Sequence, residues 1–150
     1  MTLSAGPATS TQVLTAVRDG KQRQMSAELD TIHAILEWCQ IHTTDDEDTA
    51  SFGEHGIPIA GDGAPWVAEF AVMEVAAALG MSTDSGKRYV GRIQEVRYRL
   101  PRIWERVAAG ELAFWKAGMI AEKTMVLCED GAGFVDDMLW HVAHKVTFGQ

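Results

Sequence analysis

The stretch from Ser82 to Pro101 leaves little freedom in how it folds. Tyr89, Ile93, Val96 and Leu100 stand at i, i+4, i+7 and i+11, the spacing that lays apolar side chains along one face of an α-helix. Ser82 is a capping residue at its start, and Pro101 interrupts it at its end. No stretch of the chain shows period-two alternation over the length of a strand. The spacing therefore predicts an all-α fold, and 150 residues are enough for a single domain with one core.

Other segments fit the same class. Thr9, Ser10 and Thr11 can cap a first helix running from about Thr11 to His42, with Gly20 as a break point and Leu29, Ile32, Ile35 or Leu36, and Cys39 at helical spacing. Thr43 to Ala64 carries Asp45-Asp46-Glu47-Asp48, four glycines and Pro58, and reads as an acidic, glycine-rich internal loop. Pro65 fits the first turn of a second helix running to Leu79, with Trp66, Phe70, Met73 and Ala77 down one side and Gly80 as its stop. After Pro101 the pattern gives a short helix ended by Gly110 and another from Leu112 to about Leu127. A last helix bears Val135, Leu139, Val142 and Val146 on one face. The five tryptophans are expected in the core.

Charge is unevenly spread. The net charge of −8 contains a basic block at residues 87–106, net +5, inside flanks that are mostly acidic; residues 24–86 hold twelve acids and no Lys or Arg. On a helix at about 100° per residue, Arg88, Arg92 and Arg99 fall together beside the apolar stripe. Such a face can meet a phosphate backbone, or it can pair with the acidic half of its own chain. No apolar run reaches the roughly 18 residues of a membrane helix, and the first ten residues lack the basic start and apolar core of a secretory signal. The expectation is a cytoplasmic protein without membrane contact, with Cys39 and Cys128 as reduced thiols.

Residues 71–100 form a helix-turn-helix-like pattern. Ala76 is small where two helices would cross, Leu79 precedes the turn, and Gly80 makes it. Ser82, Thr83, Ser85, Lys87 and Arg88 then supply the short polar and basic side chains that such a unit turns toward a DNA groove. With Arg92 and Arg99 they are the candidate nucleic-acid-binding residues. Asp84 and Gly86 oppose this reading, the first by its charge and the second by replacing the apolar residue that seats the second helix.

Other motifs fall away. Gly80 to Arg88 has one residue too many between its glycines for a P-loop and follows a helix. The Gly61-x-Gly63 and Gly131-x-Gly133 pairs lack a third glycine and read as turns. The acidic run lacks the alternating ligands of an EF-hand. Asp137, His141 and His144 stand at i, i+4 and i+7, but the other histidines are remote, so no metal site is expected. No catalytic constellation and no cofactor motif is legible.

The segments Val67-Ala-Glu-Phe-Ala-Val-Met-Glu-Val-Ala-Ala-Ala-Leu-Gly-Met-Ser82, Leu100-Pro101-Arg102 and Ala108-Ala-Gly-Glu-Leu-Ala-Phe-Trp-Lys-Ala-Gly-Met-Ile-Ala-Glu122 resemble the actinobacterial domain of unknown function 222. In that family an alanine-rich helix ending in L-x-x-S precedes a basic helix, an L-P step and a further helix. The likeness covers roughly residues 66–127, and the first helix more loosely. Members often stand N-terminal to an HNH endonuclease module, some near mobile elements. The chain has no asparagine, and its two cysteines are 89 positions apart, so the nuclease's central Asn and CxxC pairs are absent from it. The resemblance thus implies a truncated or minimal helical member without the nuclease, and supplies no catalytic residue. Two functions follow: a non-catalytic accessory domain contacting double-stranded DNA through the basic helix, or a protein-interaction module, self-association included.

Overall fold

A computed structural model describes residues 6–44 and 55–147 of the chain. Six α-helices make up most of it: α1 (Ser10–Ile41), α2 (Glu69–Ala78), α3 (Thr83–Arg99), α4 (Pro101–Ala108), α5 (Phe114–Thr124) and α6 (Glu129–Leu139). The helical class read from the sequence is the one observed. A 3-10 turn at Ala143–Lys145 follows.

Helix α3 is the centre, packed against α1, α2, α4, α5 and α6. Ile93, Val96 and Leu100 are fully buried, and Tyr89 sits at the edge of the same cluster. Its start is capped as its sequence suggests, with Ser82 Oγ accepting from the Ser85 amide at 3.2 Å. Thr9 and Gln12 close a capping box on α1, each bonding the other's backbone. Gly20 does not break that helix, which runs uninterrupted for 32 residues.

Three expectations are corrected. The first concerns strand: Thr43–Thr44 (β1), Gly56–Ile57 (β2) and Trp66–Ala68 (β3) form a small antiparallel sheet in the order β1-β3-β2. Strands of two or three residues are too short to show alternation, and their pairing joins Thr43 to Val67 across more than twenty positions. The 43–64 stretch is therefore partly sheet; its acidic run lies outside the described residues. Pro65 does not open a helix, because the next three residues pair as β3 and α2 begins only at Glu69.

The second correction is the phase of α2. Ala71, Val72, Val75 and Ala76 are buried, while Phe70 and Met73 are exposed. The helix is apolar nearly all round, so its own pattern does not choose a face. Packing chooses the small one, since a Cβ placed on Gly86 of α3 would collide with Ala76 Cβ. Gly86, which weighed against the helix-turn-helix reading, is what lets α2 and α3 cross so closely.

The third correction lies at the C-terminal end. Helix α6 begins at Glu129 and contains Gly131 and Gly133, which therefore do not form a turn. Glu129 and Asp130 occupy its first turn, where acidic side chains favour a helix N-terminus. It ends at Leu139, so Val142 and Val146 are not on it. α5 is likewise shorter than its apolar pattern, with Leu112 buried just before it. The tryptophans are not core residues throughout. Trp115 is exposed, Trp140 lies at the surface, and Trp38 is half-buried with its indole N–H donating to the Ala71 carbonyl at 3.0 Å.

Candidate nucleic-acid interface

The turn joining α2 to α3 is built locally. Gly80 adopts φ 68°, a left-handed conformation that side-chain-bearing residues rarely take, and the Met81 amide donates back to the Ala76 carbonyl at 2.9 Å. This sets Ser82 as the cap and leaves Thr83, Asp84 and Arg88 exposed on the first turns of α3, with Ser85 and Lys87 half-buried beside them. The Ser82 hydroxyl is engaged in the cap, which positions the helix.

The bases of this region are held in different ways. Lys87 Nζ lies 3.0 Å from Glu69 Oε1, with both side chains about one-third exposed; Lys87 lowers the Glu69 carboxyl below the usual range by its hydrogen bond and charge. The stem of Arg92 passes over Gly118 of α5, where a Cβ would meet Arg92 Cδ at 3.2 Å. Its guanidinium pairs with Glu122, while its Nε is buried without a partner. Arg88 has no ion pair among the described residues. Arg102 pairs with Asp137 at 3.3 Å and Arg106 with Glu111 at 3.5 Å. Of the described partners only Glu69 belongs to the acidic 24–86 segment; the others come from α3 itself, the α4–α5 turn, α5 and α6.

Arg99 does not join Arg88 and Arg92 at the surface. Its side chain is 2% exposed and its Nη1 binds Glu95 Oε1 at 2.6 Å. The same nitrogen donates to the Thr124 carbonyl at 3.1 Å, and Nη2 to that of Leu127 at 2.6 Å. Glu95, fully buried, also accepts from Thr124 Oγ1 at 2.8 Å and from the Gly61 amide at 2.9 Å. This network ties the 59–64 turn and the end of α5 to α3. It depends on Gly61, where an added Cβ would overlap Arg99 Nη1. The i, i+4 spacing of Glu95 and Arg99 was visible in the sequence, but it marks an exposed helix pair as readily as a buried one.

Asp136 was likewise missed. Packed against the start of α4, its carboxylate accepts from the amides of Arg102 and Ile103, both at 3.0 Å, and serves as that helix's cap from another element. Burial raises its pKa, opposed by those two bonds. Asp137, one residue on, is on the surface with Arg102. His144 Nδ1 lies 3.2 Å from an Arg106 nitrogen, beyond the end of α6. Desolvation first, then Arg106, Lys145 and Lys116, lower the His144 pKa. Among the described residues no three His, Cys, Asp or Glu side chains gather as a metal site would require, and no helix is long and apolar enough to cross a membrane.

No family model, no curated protein and no solved structure matches the chain.

Proposed function

We propose that the chain is a non-catalytic helical accessory domain of an HNH-nuclease-type, mobile-element-associated protein, and that it contacts double-stranded DNA through the first turns of α3. The observation that carries the reading is the α2–turn–α3 unit: its two helices cross closely at Ala76 and Gly86, and the capped end of the second faces solvent. Ser82, Thr83, Ser85, Lys87, Arg88 and Arg92 are the contact set; Arg99, being buried, is not part of it. The order of motifs shared with the domain of unknown function 222 supports the same reading. The ion pairs of Lys87 and Arg92 are partly exposed, and such pairs are worth only about 0–1 kcal/mol, so phosphate can replace their carboxylates. Asp84 within the patch and the overall charge of −8 oppose phosphate contact.

A gel-shift titration across salt concentrations tests it. Wild-type protein should bind duplexes of any sequence with a steep salt dependence. The Lys87→Gln, Arg88→Gln, Arg92→Gln triple variant should lose about 0.9 log unit of slope per contact removed. Failure of the wild-type protein to bind any duplex at low salt would end the DNA reading.

The second reading, a protein-interaction module, is favoured by a separate observation. Val13, Leu14 and Val17 are more than half exposed on the N-terminal part of α1.

A further inference from the structure

Helix α3 and the 57–59 segment meet at one close point. Gly91 has no side chain there, and an added Cβ would come within 2.5 Å of the Ile59 carbonyl oxygen. Around that contact lies a partly open cavity of about 380 Å³. Ile57 and Ile59 wall it on one side, α3 on the other, and Met125 closes it just past the end of α5. At about 30 Å³ for a water-sized group, this is room for roughly a dozen heavy atoms. No aromatic ring of the described residues lines it, so the apolar wall suits an aliphatic chain.

The rim of the cavity is basic. Lys87, Arg88 and Arg92 border it against one carboxylate, Glu122. Two donor groups there are unmatched. Arg88 has no ion pair among the described residues, and Arg92 Nε is buried without a hydrogen-bond partner. Arg88 and Arg92 stand one helical turn apart, so their long side chains can converge on a single carboxylate, whose two oxygens accept paired N–H donors. A mostly apolar cavity with a few convergent polar groups is the usual form of a small-molecule site. The polar groups here select an anion.

We propose that this cavity binds a small amphiphilic anion, an aliphatic carboxylate of about eight to ten carbons, with its head on Arg88 and Arg92 and its chain against Ile57, Ile59 and Met125. An alkylammonium of the same length would bring one more cation to three bases, so charge excludes it. The proposal does not rest on the DNA reading. Phosphate contact uses the same arginines but has no need of the apolar wall, so dependence on chain length separates the two.

The test titrates the full chain with hexanoate, octanoate and decanoate, below their micelle concentrations and without DNA, by calorimetry and by amide chemical shifts. One carboxylate should bind per chain, with affinity rising roughly fourfold per methylene until the cavity is full. The largest shifts should fall at Ile57, Ile59, Gly91 and Met125. Octylammonium and 1-octanol should bind about tenfold or more weakly than octanoate. Arg88→Glu should weaken octanoate binding by about tenfold or more and leave the helical circular dichroism signal in place, because Arg88 is exposed. Failure of the chain to bind duplex DNA would leave each of these results unchanged. No saturable binding, an affinity indifferent to chain length, equal binding of octylammonium, undiminished binding by Arg88→Glu, or shifts centred on the separate groove between Leu29 and Leu112 would each overturn the proposal.

Discussion

Arg88 and Arg99 sit on one helix, about 20° apart around its axis, and meet opposite fates. Arg88 faces solvent from the first turns of α3; Arg99 is enclosed, with Glu95, Thr124 and Leu127 taking three of its hydrogen bonds. The difference comes from what covers each end. Toward the C-terminal end of α3 the 59–64 turn and the end of α5 close over it, whereas the N-terminal end emerges beyond α2. A shared helical face is therefore not a shared surface, and the charge of a side chain does not tell which end is covered.

Removing Arg99 should show the largest contrast. Arg99→Ala leaves the buried Glu95 carboxylate without its cation and should cost about 3–5 kcal/mol in chemical denaturation. A loss under about 1 kcal/mol would mean that the C-terminal end of α3 is as open as the N-terminal end.

The two cysteines repeat the comparison. Cys39 is buried, and desolvation pushes its thiol up to about 11, against a small opposing effect of a hydrogen bond with Gln94; Cys128 is exposed. A thiol reagent near pH 8 should modify one cysteine per folded chain and two after denaturation. The folded chain keeps the Cys39 proton that the unfolded chain loses above about pH 9. Stability should therefore fall between about pH 9 and pH 11, by up to about 1.4 kcal/mol per pH unit, and Cys39→Ala should remove that part of the slope.

Gly61→Ala sharpens the same contrast through the backbone. Its methyl group would collide with the Arg99 guanidinium, so the loss should be about 1–3 kcal/mol. The same change at Gly20, where an added Cβ would meet only the tip of Arg23 at 3.8 Å, should be neutral or stabilising. At the small end, Arg88→Ala should change stability by no more than about 0.5 kcal/mol, with its effect confined to partner binding. A larger loss would show that Arg88 holds the fold.

Much of the local architecture was legible because its causes are local. The caps at Thr9 and Ser82, the stops at Gly80 and Gly110 and the start at Pro101 act through backbone hydrogen bonds and torsions within a few residues. The apolar stripe of α3 was legible because a mostly polar helix must choose the face it buries. The α2–α3 unit was legible as a pattern, although the role of its glycine was not.

The sequence by itself determined a fold of five or six helices, the caps of the first and of the central one, the buried stripe of the central one and the basic block beside it. Tertiary structure decided which face of α2 turned inward, that Trp66–Ala68 would pair as a strand, that Asp136 would cap α4, and that Arg99 would leave the basic surface. Each depends on residues far apart in the chain, such as Gly61 and Thr124 around Arg99 or Thr43 beside Val67. A helix pattern states which side chains travel together, and only the packing of distant segments states what they meet.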